Sequence, residues 1–352
     1  MKYFVYCITF FVILVSFVSC SNNKSANIKT NSKKISIVTT IFPEYDWVKN
    51  IIGDKISNFD ITMLYNTGTD LHSYQPSTDD IIKISNSDIF IYVGGESDKW
   101  IDEVLEKAVN KNITVINLLN LLGELAKEEE TVEGMQKEKH HHEHEHKHRE
   151  EPYSDHDKHH DNYDNNGKEE EHEKEYDEHV WLSLRNTKIF VEKIAEVICI
   201  KDSANADIYK NNVNVYIDRL TDLDLKYKQV VDSSSKKTIL FGDRFPFRYL
   251  VADYGLKYFA AFAGCNAESE ASFETIIFLS KKVDELKLNT ILTIEGNNHK
   301  IAQTIIQNTK AKNQNIVVIN SMQSITAQNI EKGISYISIM EQNLDVLSQA
   351  LK

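Results

Sequence analysis

Residues 208–231, IYKNNVNVYIDRLTDLDLKYKQVV, decide how the chain is built. The stretch holds neither Gly nor Pro, and Val213, Val215, Tyr216, Leu220, Leu223, Leu225 and Tyr227 recur through a polar background, which reads as one long helix. On either side, short apolar runs alternate with amphipathic ones in the manner of βα units. Before it, strands are expected at 35–40, 58–64, 88–93 and 113–118, and helices at 43–52, 77–85, 99–110 and 187–200. After it, strands are expected at 238–241, 256–262, 290–294 and 316–319, and helices at 246–254, 273–286, 301–307 and from Ile325 onward. This order predicts an α/β fold of two βα lobes, 35–207 and 233–352, with mainly parallel sheets joined by one long rigid helix, 208–232. Sites in such sheets lie at the carboxyl ends of the strands.

A length of 352 residues suits two lobes of ordinary size. The net charge of −13 is concentrated: residues 127–178 carry twenty Asp or Glu against eight Lys or Arg, so −12 sits there and −1 remains for the rest. With no basic patch in the folded part, neither nucleic acid nor an anionic membrane surface is an expected partner. The acidic segment also holds ten of the thirteen histidines, His140, His141, His142, His144, His146, His148, His156, His159, His160 and His172, with almost no apolar residue. Such a composition cannot build a core, so 127–178 is expected to be a disordered loop. Acidity alone would account for solubility but not for ten imidazoles, and an accessory role in metal capture is expected of them. Within the run, His142-Glu143-His144-Glu145-His146 fits the zinc-protease pattern H-E-x-x-H, but no apolar residues flank it to form the helix that would align the two histidines.

At the N-terminus, Met1-Lys2 precedes an apolar run over 3–18, short for a membrane span and suited to a signal peptide over 1–19. Phe17-Val18-Ser19-Cys20 resembles a bacterial lipobox, departing from it at Phe17, where Leu is usual. Cys20 would then carry the lipid anchor and 20–34 would be a tether. Cys199 and Cys265 are the remaining cysteines of the mature chain, so one disulfide is the maximum, and two free thiols are expected.

Two isolated histidines stand apart from the tract. His72 lies in Thr67-Gly68-Thr69-Asp70-Leu71-His72-Ser73-Tyr74-Gln75-Pro76, a turn-rich segment after the second strand, and His179 lies in Asp177-Glu178-His179-Val180-Trp181-Leu182. Each alone reads as a packed histidine. Together, beside a histidine-rich tract, they point to a borderline transition metal, because neutral imidazole suits such ions. Leu71-His72-Ser73-Tyr74-Gln75-Pro76-Ser77 and Glu178-His179-Val180-Trp181-Leu182-Ser183 resemble the two histidine motifs of the zinc and manganese substrate-binding lipoproteins of bacterial ABC importers. The resemblance covers 34–352, and the histidine-rich insertion resembles that of the zinc importers.

The resemblance implies that His72 and His179 are the metal ligands of the first lobe. It places a third ligand just past the first strand of the second lobe, within Phe241-Gly242-Asp243-Arg244-Phe245. Counting from the strand start gives Asp243, with one extra residue in the turn; counting back from Phe247-Arg248-Tyr249 gives Arg244, which cannot bind a cation. The fourth ligand would follow the last strand, where Asn320 is a poor zinc ligand. Glu268, Glu270 and Cys265 are alternatives from the preceding loop, as is water, and the set carried forward is His72, His179, Asp243 and Glu268. Glu295 and His299 also end a strand, but a solvated loop accounts for them. The expected function is an extracytoplasmic, lipid-anchored, monomeric protein that takes Zn2+ between its lobes and passes it to an ABC permease driven by an ATPase. A manganese or other divalent-metal binding protein, or an adhesin, fits the same fold. A zinc hydrolase would need an open coordination position and a general base, for which no set of residues is recognisable. Affinity should fall as pH drops through the histidine range, because protonated imidazole cannot ligate.

Overall fold

A computed structural model describes residues 33–136, 175–265, 270–296 and 298–352. The expected signal peptide, Cys20, all ten histidines of the tract and Glu268 lie outside the described residues. The first lobe runs β1 (Ile35–Thr39), α1 (Phe42–Ile52), β2 (Phe59–Met63), α2 (Thr78–Asn86), β3 (Ile89–Tyr92), α3 (Trp100–Glu106), β4 (Thr114–Asn117), α4 (Leu118–Leu122) and α5 (Leu184–Lys201). Next comes α6 (Ala206–Ser233), and then β5 (Thr238–Phe245), α7 (Arg248–Tyr254), β6 (Lys257–Ala263), α8 (Phe273–Leu286), β7 (Thr290–Ile294), α9 (Lys300–Asn308), β8 (Asn315–Ile319), α10 (Ala327–Glu331) and α11 (Tyr336–Ala350).

Both sheets have four strands, all pairings are parallel, and the order is the same in each: β2-β1-β3-β4 and β6-β5-β7-β8. Strands covered on both faces lose the alternation of a half-exposed sheet, and every residue of β3 and of β7 is buried. The long helix presents Tyr209, Val213, Tyr216, Leu220, Leu223, Tyr227 and Val231 as one buried stripe at spacings of three and four. At 28 residues it is about 42 Å long. Asn212 Nδ2 donates to Ile51 O at 2.9 Å near one end, and Tyr227 OH donates to Met340 O at 2.6 Å near the other, so the helix is bonded to both lobes. Residues 34–352 form one compact unit, and no helix of the described residues is long and apolar enough to cross a membrane.

Three local expectations differ from the structure. The strand expected at 238–241 continues to Phe245, because a bulge between Phe241 and Arg244 absorbs one residue while pairing with β6 resumes. The extra residue therefore sits inside the strand, not in a turn after it. The C-terminal helix is two helices, interrupted at Gly333 (φ 85°) and restarted by a Ser335 cap. The acidic insertion is not free of contacts from residue 127. Residues 127–129 pair with 175–177 through Glu129 N to Glu175 O at 2.9 Å and Asp177 N to Lys127 O at 2.8 Å. The following segment then docks on the second lobe, where Gln136 N donates to Ala261 O at 2.9 Å and Gln136 Oε1 accepts from Ser272 N at 2.6 Å.

Candidate metal centre

The loops after β2 and after β8 meet through an isolated bridge between Thr67 and Thr326, which brings the carboxyl ends of the two sheets together. His72 lies just beyond, in the single turn Leu71–Ser73, where Asp70 Oδ1 accepts its backbone N–H at 3.0 Å. His179 opens a second single turn, Val180–Leu182, and Asp177 Oδ1 accepts its backbone N–H at 2.9 Å. Both histidines thus follow an Asp by two residues, and each Asp fixes the backbone that carries the ring. Trp181 anchors the second turn, its Nε1 donating to Ser321 O of the second lobe at 2.9 Å.

The two rings face each other, with Nε2 of His72 3.2 Å from Nε2 of His179. On the far side, His179 Nδ1 lies 3.0 Å from Asp177 Oδ1. His72 Nδ1 lies 2.8 Å from Ser97 Oγ and 3.3 Å from Glu178 Oε2. A carboxylate only accepts, so Nδ1 carries the proton in the neutral His179 ring and its Nε2 lone pair faces His72 Nε2. Tetrahedral zinc with Zn–N of 2.0–2.1 Å holds two imidazole nitrogens about 3.3 Å apart. The pair therefore already stands at the separation that a shared metal needs.

The surroundings of His179 are acidic and buried. His179, Glu178 and Asp177 are almost wholly buried. Burial would raise the Glu178 carboxyl, but hydrogen bonding to His72 and Ser97 outweighs it and holds the group below its ordinary value. Glu178 Oε1 accepts Ser97 N–H at 2.7 Å, and a Cβ on Gly95 (φ 90°) would come within 2.5 Å of that oxygen, so glycine is what admits the carboxylate. Asp98 is pushed up to about 7 by burial, with the Glu178 charge adding to the effect and Gly94 N–H opposing it.

Of the expected ligands, the structure brings His72 and His179 together and leaves Asp243 out. Among the described residues, the one group of three metal-ligating side chains with ligand atoms within 4.8 Å of one another is His72, His179 and Cys265. Asp243 is 2 % exposed and turned into its own lobe, where Oδ2 accepts Ile294 N–H at 3.1 Å and Oδ1 accepts Arg244 N–H at 2.8 Å. The bulge sets this outcome: Asp243 points into the lobe and its neighbour Arg244 points at the first lobe, where Nη2 meets Asp70 Oδ2 at 2.5 Å. Asn320 is a turn residue whose Oδ1 accepts Met322 N–H at 2.8 Å. Glu295 is occupied by Ser321 N and Oγ, at 2.7 and 2.8 Å. Glu270 is exposed, and His299 heads α9, as a loop histidine should. Cys199 and Cys265 are both free thiols.

Cys265 follows β6, with its backbone N–H 3.4 Å from Glu129 Oε1 at the stem of the insertion. Burial pushes its thiol up, and the charges of Asp177, Glu129 and Glu178 reinforce this. Gly264 lets the strand end lie against the histidine: a Cβ there would be 2.9 Å from His179 Cε1 and 2.9 Å from Phe245 O. Ser97, Asp177 and Glu178 were not singled out from sequence. The Asp-x-His spacing shared by Asp70-Leu71-His72 and Asp177-Glu178-His179 is the signal that would have found Asp177.

Comparison with known proteins bears on the family and the fold. The zinc-binding lipoprotein AdcA of Streptococcus pneumoniae is 29% identical over 336 residues, covering 94% of this chain and 58% of the relative. The chain spans about half the length of the first curated relatives it matches. The high-affinity zinc uptake system protein ZnuA of Bacillus subtilis is 29% identical over 345 residues, covering 97% of this chain and 96% of that one. The crystal structure of the Zn(II)-bound ZnuA-like domain of S. pneumoniae AdcA superposes with a TM-score of 0.64 at 25% identity, covering 90% of this chain and 99% of that domain. Residues 37–350 match the family described as zinc-uptake complex component A, periplasmic, and the chain belongs to that family.

Proposed function

We propose that the protein captures Zn(II) outside the cytoplasmic membrane, held there by lipid on Cys20, and hands it to an ABC permease driven by an ATPase. The observation that carries this reading is the His72–His179 pair, whose Nε2 atoms stand 3.2 Å apart while polar groups hold both Nδ1 atoms from behind. Zinc is the cargo. The buried carboxylates of Asp177 and Glu178 offset its charge without ligating it, and the imidazoles bind in their neutral form. The relatives named as zinc-binding and zinc-uptake proteins support the choice of metal. The histidine tract serves as an accessory, and its anchored stem beside Cys265 keeps the tract tethered to the centre.

The test is zinc titration of the chain with the ten tract histidines replaced by Asn, beside the chain carrying His72→Ala and His179→Ala. The first should keep one tight equivalent and lose the weak ones; the second should lose the tight equivalent and keep the weak ones. Tight binding that survives the loss of His72 and His179 sinks the assignment.

A further inference from the structure

The geometry points to Cys265 as the second-lobe ligand of the captured metal, making the centre a His2Cys site instead of one completed by a carboxylate. The inference rests on the zinc reading above and adds its third ligand. Three observations carry it. The Cys265 Sγ lies within 4.8 Å of the histidine ligand atoms, and among the described residues no other such group exists. The acid expected in this role, Asp243, has its oxygens on Ile294 N–H and Arg244 N–H. The neighbouring residue that reaches the first lobe, Arg244, is a cation already paired with Asp70.

A thiolate supplies the missing anion. With Zn–S of 2.3 Å and Zn–N of 2.0–2.1 Å, tetrahedral zinc wants sulfur and nitrogen about 3.5 Å apart, a separation that fits inside the 4.8 Å enclosing the three ligand atoms. The thiol releases its proton to water as the Zn–S bond forms. Because β6 belongs to the second lobe and both histidines to the first, the metal then links the lobes. Sulfur also changes what the centre accepts: thiolate favours zinc and cadmium and disfavours manganese, which prefers oxygen donors. The remaining coordination position is left to water.

Cobalt(II) titration of the full reduced chain provides the direct test, since a thiolate ligand produces a near-ultraviolet charge-transfer band that histidine and carboxylate ligands do not. The band should appear with the first equivalent, persist in Cys199→Ser and vanish in Cys265→Ser, while Cys265→Ser still binds zinc through the histidine pair 10- to 100-fold more weakly. The preference for zinc over manganese should narrow in Cys265→Ser. Iodoacetamide mapping by peptide mass gives an independent readout: zinc should protect Cys265 and leave Cys199 as reactive as before. A tight first equivalent without the band, or a band that survives Cys265→Ser, overturns the ligand and leaves the zinc reading intact. No tight equivalent in the unmodified chain overturns both.

Discussion

Asp177→Asn isolates the role of a single charge behind the metal. Asp177 Oδ1 accepts two donors, His179 N–H at 2.9 Å and Nδ1 at 3.0 Å. Its backbone is held separately, by Lys127 O at 2.8 Å and by the Tyr249 hydroxyl at 3.0 Å. An asparagine of the same shape can keep its oxygen in place, so the apo fold should change in stability by no more than about 1 kcal/mol, the difference between a charged and a neutral hydrogen bond. Metal affinity should change more. A dication on Nε2 lies roughly 6–7 Å from Oδ1, where an effective dielectric of about 20 gives an attraction of about 5 kcal/mol. That figure is an upper bound, since the amide dipole retains part of the attraction and solvent near the cleft screens it further. Substitutions behind metal-bound histidines cost about 10- to 100-fold in affinity, and that range is expected here. Competition with a chromophoric chelator at fixed pH measures it, with urea unfolding of the apo protein as the control. Wild-type zinc affinity in a normally folded Asp177→Asn chain would refute the claim that this carboxylate orients His179 and offsets the charge of the metal.

Two further substitutions probe the scaffold. Asp46 is pushed up to about 6 by burial, against the opposing Tyr336 N–H and the charges of Lys49 and Arg219. Its stabilising contribution is therefore complete below the unfolded value near 4 and is lost as pH rises through about 6, an effect of up to about 3 kcal/mol for a shift of about two units. Urea midpoints measured from pH 4.5 to 7.5 should fall more for the wild type than for Asp46→Asn, whose amide oxygen can still accept from Tyr336; parallel profiles would contradict this. Gly264→Ala should displace His179 or Phe245, because the new methyl lies 2.9 Å from each. Overpacking of this kind costs about 1–3 kcal/mol, and zinc affinity should fall with it, as measured by thermal unfolding with and without metal.

The long helix and the repeated βα order were legible because buried parallel strands are apolar runs and a 28-residue helix without Gly or Pro has no competing local structure. His72 and His179 were legible through their flanking motifs. The break at Gly333 was also available, since Gly followed two residues later by Ser is a stop and a cap. The end of β5 was not. Gly242, Asp243 and Arg244 look like a turn, and only pairing with β6 on the other side of the bulge keeps them in the sheet. Cys265 remained one of several alternatives because its nearness to the histidines depends on long-range packing. Residues 127–136 read as part of a charged insertion, yet Met135 is buried and Gln136 is bonded to the second lobe. A few well-placed contacts outweigh average composition there.

The bulge in β5 shows how few changes separate one centre from another. Side chains along a strand alternate between faces, so one added residue exchanges what points into the lobe for what points out of it. Here that exchange buries Asp243 and sends Arg244 across to Asp70. The charge that this strand offers to the first lobe is thereby positive where the other register would make it negative, a difference of two units from a single codon. Insertions and deletions in such a strand act on metal chemistry as strongly as direct replacement of a ligand, while leaving every neighbouring residue type unchanged.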